Sequence, residues 1–402
     1  MPNPSLTVPA APSAAHARSG LQILIIAVAA FVIVTTEYLI IGLLPALARD
    51  FNISVAAAGQ LVTLFAFTVM LFGPFLTVKL SHLDRKKLFT FILVVFAGSN
   101  VLAALAPNIW VLALARFIPA LMLPVFWGTA SETAGQLAPS GQSGKAVSQI
   151  YLGISAALVF GIPLGTLAAD AMGWRGTFWV LAALSALLAV LIQALMPQLP
   201  SPERHHSAGQ TQILKDPRFL AHVALSTLAF TAMFTAYTYL ADMLERLAGI
   251  PANQVGWWLL GFGAVGMVGN YIGGRVVDRS PLGATIVFLM LMSAALLAAV
   301  PAATHPAWLV AVLIVWGVSY SALFPICQVR VMQAGAQAKA LAGSMNVSAA
   351  NAGTGLGAIF GGLGIQHYGL ASLGVIAAGI AVVGVGFAFG MRCMKSTEAN
   401  RH

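Results

Sequence analysis

Glu37 is the only charged side chain in the apolar run from Leu21 to Leu47, and Arg116 is the only basic residue well inside any of the chain's apolar runs. About 20 apolar residues cross the core of a bilayer, so the run around Glu37 is long enough to hold its carboxyl at membrane depth. An ionised acid there costs about 3 kcal/mol or more, and it is tolerated where it faces a cavity, a partner or a proton path. The chemistry open to it is reversible protonation, provided water reaches the carboxyl in one conformation. The structural alternative is a buried acid hydrogen-bonded to Thr36, Thr63 or a backbone carbonyl. Arg116 must itself be paired or bonded to backbone carbonyls. Two roles are open to it, tuning Glu37 electrostatically or clamping the segment that carries Glu37.

The elements that position these groups follow from composition. Of 402 residues, 59% are hydrophobic and 8% charged, against about 25% charged in a soluble domain. A net charge of +9 would suggest nucleic acid in a soluble chain, but here it has another cause and no nucleic-acid partner is expected. Cys327 and Cys393 can build neither a disulfide framework nor a four-ligand zinc site. No span carries H-E-x-x-H or paired aspartates, which argues against a membrane enzyme. No metal and no cofactor are expected.

A window of about 19 residues finds twelve apolar segments, near 21–48, 56–79, 87–106, 109–134, 146–170, 176–196, 218–240, 253–277, 282–303, 307–329, 341–366 and 370–391. Turn chemistry separates them at 52–54, 106–108, 138–141, 249–251, 280–281 and 304–306. The expected fold is all-α and integral to the membrane, with twelve helices in two pseudo-symmetric six-helix bundles, 21–196 and 218–392. A polar linker at 197–217 joins them, and polar tails, 1–20 (disordered) and 393–402, flank them.

Sixteen Lys and Arg fall on the side that holds both termini and three, Arg49, Arg175 and Arg246, on the other; with Arg116 in a span these make up all 20. That excess places both termini in the cytoplasm and explains the net charge. The two halves repeat a pattern of small residues before a charged turn, at Gly73 to Lys87 and at Gly269 to Arg279, as parallel repeats do. Asp84 and Arg85 in the first copy, and Arg275, Asp278 and Arg279 in the second, are candidates for a latch on the cytoplasmic face.

Four motifs carry a resemblance over about 21–392: TTEYLIIGLLPALARDF from Thr35, ARF and PVFWG from Ala115 and Pro124, GISAALVFGIPLGTLAADAMGWR from Gly153, and SMNVSAANAGTGLGAIFGG from Ser344. With the charged turns, they resemble the major facilitator superfamily, in particular its twelve-span drug:proton antiporter and arabinose-efflux-permease-like branch. One departure is Ser81-His82, where that family usually has Asp-Arg; Asp84 stands where a Gly is common. The resemblance implies a multi-pass transporter of the cell inner membrane, exporting sugars, nucleosides or amphipathic drugs in exchange for protons. An importer or uniporter of the same fold is the alternative, and a monomer is expected.

Further candidates come from position. Gly153, Gly161, Pro163 and Gly165 allow close packing and, through the proline, a kink, and they are expected at the interface between the halves. Gln60, Phe126, Trp127, Gln149, Trp316, Tyr320, Gln328, Asn346 and Asn351 are the polar and aromatic groups expected to line a central cavity. Phe230, Phe234 and Tyr237 share one helical face, and Phe234 and Tyr237 join that set. Asp242, Glu245 and Arg246 read as solvated charges at a helix end.

Overall fold

The computed structural model describes residues 14–80, 83–138, 146, 149–150, 152–153, 156–199 and 210–399. The described secondary structure is helical. In chain order the long helices are α1 (Ala14–Asp50), α2 (Val55–Leu80), α3 (Arg85–Ala104), α4 (Ile109–Leu137), α5 (Ile162–Leu195), α6 (Pro217–Tyr237), the short α7 (Leu240–Arg246), α8 (Ala252–Val276), α9 (Pro281–Ala302), α10 (Pro306–Ala334), α11 (Lys339–Tyr368) and α12 (Leu373–Ala399). Their starts are chemically marked. Asp84 accepts from the Lys87 N–H at 2.9 Å, Asn108 from Trp110 and Val111 at 3.1 and 3.0 Å, and Asp216 from Arg218 at 2.8 Å. Each cap satisfies donors that the first helical turn leaves without partners.

Ten described helical segments are long and apolar enough to cross a membrane. One of them, Val159–Leu195, crosses twice. At Gly173 the backbone takes a positive φ of 76°, and the Thr177 hydroxyl donates to the Gly165 carbonyl at 3.4 Å. Twelve residues of straight helix would separate these groups by about 18 Å, so the chain doubles back. The less apolar α11, 30 residues long, runs between α2 and α6 and is the twelfth crossing. The expected segment after 218 is broken at Thr238 and Tyr239, so α6 and α7 together form one span.

The ends differ from expectation. α1 begins at Ala14, inside the stretch read as a tail, because an alanine-rich sequence adjoining a long helix propagates it at little cost. α12 likewise runs on to Ala399, past the expected boundary at 392. Residues 1–13, Ser81-His82, 139–145 and 200–209 lie outside the described residues.

Helices α1 to α5 pack among themselves, and so do α6 to α12. The two groups meet along α2 with α11, α5 with α8, and α1 with α7. These seams hold groups near one end of the bundle, that of Arg49 and Arg175, here called the far end. The Thr63 hydroxyl donates to the Gly355 carbonyl at 3.3 Å, and Arg49 bonds to Glu245. At Gly59 and Gly361 the helices lie so close to Tyr239 that an added Cβ would fall 2.3 and 2.6 Å from its ring or hydroxyl. The opposite end carries Arg85, Lys86 and Lys87 and is called the basic end.

Candidate functional site

Glu37 lies in the middle of α1, and α4 brings Arg116 against it. The Arg116 side chain is 1% exposed. One of its terminal nitrogens donates to the Thr36 carbonyl and the other to the Glu37 carbonyl at 2.5 Å. Its guanidinium carbon stands 4.4 Å over the Phe65 ring. The arginine therefore clamps α1 through its backbone while leaving the Glu37 carboxyl outside those two bonds. Both groups line the same small cavity, so the guanidinium also stands beside that carboxyl.

The structural alternative for Glu37 named two hydroxyls and a backbone carbonyl, and the two hydroxyls are engaged elsewhere. Thr36 Oγ1 donates to the Val32 carbonyl at 2.9 Å and accepts from Asn100 at 3.4 Å. Thr63 bonds across the seam to Gly355. Glu37 instead lines a cavity of about 10 Å³ with Tyr38, Phe65, Ala66, Arg116 and Thr354, close to the volume that admits one water molecule. Thr354 comes from α11, so the cavity lies on the seam between the two groups of helices.

Tyr38, next in the chain, lines the same cavity as Glu37 and stacks on Phe234 with ring centres 6.1 Å apart. Phe234 begins an aromatic cluster in the second group. Its ring lies 5.8 Å from Tyr237 and 5.9 Å from Tyr320, and Tyr237 and Tyr320 are 4.5 Å apart. Phe262 adds contacts to Tyr237 and Trp316 at 5.6 and 5.5 Å, and Phe230 and Phe324 extend the cluster toward the basic end at 5.2 Å. Four expected cavity residues, Phe234, Tyr237, Trp316 and Tyr320, are thus brought together, and Tyr38 joins them to the acid. Two more, Gln328 and Asn346, bond to each other at 2.7 Å. They sit eight residues along their helices from Tyr320 and Thr354, roughly 12 Å nearer the basic end. The Asn346 side-chain oxygen is buried without a hydrogen-bond partner.

Other expected residues fall elsewhere. Phe126 is fully buried in the first group, edge-on to Phe89 at 5.6 Å, and Trp127 packs beside it at 5.5 Å. These two are core packing and not part of the aromatic cluster. Gln60 is exposed near the far end and donates to its own helix at Ala56. Gln149 is exposed near the basic end, and Asn351 bonds back to the Val347 carbonyl at 3.0 Å.

Four further expectations are corrected. Gly153, Gly161 and Gly165 face α1, not the other half: a Cβ on them would come within 2.2 Å of Ala27, Thr35 and Leu39 respectively. The contact with the second group is made by their neighbours. Pro163 has no N–H, so the Val159 carbonyl four residues back lacks its helical donor, and the chain widens into a π-turn at Ala157–Gly161. That carbonyl lies against Gly263 of α8, whose added Cβ would be 2.8 Å away.

The latch differs too. Arg85 is fully buried and pairs with Glu132 of α4 at 2.7 Å, while Asp84 serves as the α3 cap. In the second copy Arg275 lies over Tyr271 at 4.5 Å, and Asp278 and Arg279 are exposed. Arg330, counted by sequence among the charges outside the spans, is 1% exposed within α10 and bonds to Thr285, Ser226 and the His222 carbonyl at 2.7, 2.8 and 3.2 Å. Finally, Glu245 is no free end charge, since it bonds to Arg49 across the seam, and Asp242 is 1% exposed.

Comparison with known proteins adds an independent line. The family model described as Major Facilitator Superfamily matches residues 26–346. The chain is 32% identical over 365 residues to the inner membrane transport protein YdhP of Escherichia coli (strain K12), covering 90% of this chain and 94% of that protein. It is 29% identical over 364 residues to a probable sugar efflux transporter of Mannheimia succiniciproducens, covering 90% and 92%. Among solved structures, a bacterial homolog to the human lysosomal transporter Spinster, inward-facing and occupied, aligns with a TM-score of 0.79 at 15% identity over 93% of this chain and 97% of that one. The nucleoside transporter NupG aligns with a TM-score of 0.74 at 15% identity over 94% and 98%.

Proposed function

Because the chain belongs to the Major Facilitator Superfamily of transporters, we propose that it exports a small neutral organic solute across the cytoplasmic membrane in exchange for protons, with both termini in the cytoplasm. The two helix groups, 21–196 and 218–392, rock about the seam, and Glu37 carries the proton. The observation that carries this reading is the position of Glu37: an acid at membrane depth, in a water-sized cavity walled by Arg116 on one side of the seam and Thr354 on the other. A change of charge there alters the energy of the seam itself. Protonation reaches Glu37 from outside when the far end opens, and release follows when the cavity communicates with the cytoplasm.

Magnitudes permit it. A proton crossing 100 mV yields about 2.3 kcal/mol, and each pH unit adds about 1.4 kcal/mol. Their sum sustains a gradient of several hundredfold in a neutral solute. The aromatic cluster and the Gln328–Asn346 pair suit a solute with an apolar face and hydroxyl or amide groups, and the relative named a probable sugar efflux transporter supports that class. An efflux screen in cells lacking their own exporters identifies the solute. An imposed inward proton gradient should then drive that solute out of right-side-out vesicles; uptake under the same gradient would establish import.

A further inference from the structure

A cavity of about 380 Å³ lies away from the proton site, in a groove between α8 and α10. Trp257, Trp258, Gly261, Phe262, Val310 and Ile314 line it, with Trp257 the most exposed of the large side chains and Phe262, 5% exposed, the deepest of them. Trp257, Val310 and Ile314 are 62, 44 and 44% exposed, so the groove opens on the outer surface of the bundle. Both helices are membrane spans, and the surface they turn outward therefore meets lipid.

Depth and shape specify the occupant. Trp257 lies five residues into α8, about 8 Å from its far end, and Val265, which also lines the groove, lies about 20 Å in, at 1.5 Å per residue. The groove thus runs along the helix axes from near the headgroup level toward the bilayer centre, parallel to a lipid chain. An exposed tryptophan suits that level, where an apolar ring and a polar N–H are both accommodated. Gly261 keeps the channel clear, since a Cβ there would meet nothing within 4 Å.

We propose that this groove binds one acyl chain of a phospholipid from the leaflet at the far end, the outer leaflet on the orientation given above. The bound chain backs Phe262, whose other face stacks on Tyr237 at 5.6 Å and meets Tyr320 at 5.8 Å. A lipid chain and the transport cluster therefore share one aromatic wall. The claim requires only that α8 and α10 span the membrane, so it stands or falls separately from proton coupling.

The test uses the full chain in nanodiscs of dioleoyl phosphatidylcholine, transferred to mild detergent and weighed by native mass spectrometry. Wild type should retain one phospholipid per chain and Gly261→Leu, which fills the channel, none. Val375→Leu, a lipid-facing change on α12 at a site 62% exposed, should retain it. In nanodiscs whose lipid chains are brominated, tryptophan emission should be quenched more in wild type than in Gly261→Leu, with equal thermal stability showing that both are folded. Loss of all lipid from wild type, capture of detergent only, or equal retention and quenching in Gly261→Leu would overturn the proposal.

Discussion

At the scale of residues, Arg116 and Glu37 divide the work. The arginine spends both terminal nitrogens on carbonyls of α1, so it holds the helix, and the carboxyl stays available to the cavity. Hydrogen bonds from a charged group are worth about 1.5–3 kcal/mol each. Arg116→Ala should therefore lower stability by several kcal/mol, and Arg116→Lys, which keeps the charge but not the fork, should recover only part. Thermal unfolding in detergent measures both; a lysine variant as stable as wild type would show that the fork is not needed. Glu37 and Arg116 were legible in the sequence because each is a lone charge in an apolar run. Tyr38 was not singled out. A tyrosine in a membrane helix has many ordinary places, and only the position of Phe234 across the seam gives this one a role.

At the scale of elements, glycines sort the helix contacts into two kinds. Gly153, Gly161 and Gly165 let α5 and the chain leading into it lie against α1 within one group, while Gly256 and Gly263 let α8 approach across the seam at Leu167 and Val159. Substitutions should separate accordingly. Gly153→Ala puts a methyl group against the Ala27 backbone and should cost about 1–3 kcal/mol of folding stability by overpacking. Gly263→Ala meets the Val159 carbonyl across the seam and should leave folding largely intact while opening the far end. A cysteine placed at Thr63 reports that opening through its reaction with a membrane-impermeant thiol reagent added from outside. Faster labelling in Gly263→Ala than in Gly153→Ala is expected; the reverse order would mean the seams are misassigned.

The sequence could not make this distinction. Helices that are apolar on every side carry no polar stripe to mark the interior. Phe126 and Phe234 look alike in such helices, yet one packs in the core of the first group and the other in the cluster on the seam. The break at 106–108, in contrast, was readable, because Asn108 marks a helix start by side-chain chemistry, whereas Asp84, read as a latch residue, caps α3. Arg330 was misplaced because one turn of α10 separates a membrane-end cation from one buried among Thr285 and Ser226.

At the scale of the whole molecule, the described contacts between the groups gather at the far end, as they do in a transporter closed to the outside. Arg49 and Glu245 are 57% and 23% exposed, so their ion pair is worth under about 1 kcal/mol to folding, but it bears directly on the balance between closed and open states. Arg49→Glu should raise outside labelling of the Thr63 cysteine a few-fold. Adding Glu245→Arg should return it to the starting level, and high salt should narrow the difference. Labelling that stays raised after the swap would remove this pair from the gate.

The central claim is that Glu37 carries the proton that transport requires. Its most direct measurement follows proton and solute fluxes together in proteoliposomes, once the solute has been identified. Wild type should move protons against the solute in a fixed ratio, and Glu37→Gln should still exchange solute for solute while solute-driven proton flux vanishes. Undiminished proton flux in Glu37→Gln would contradict the account.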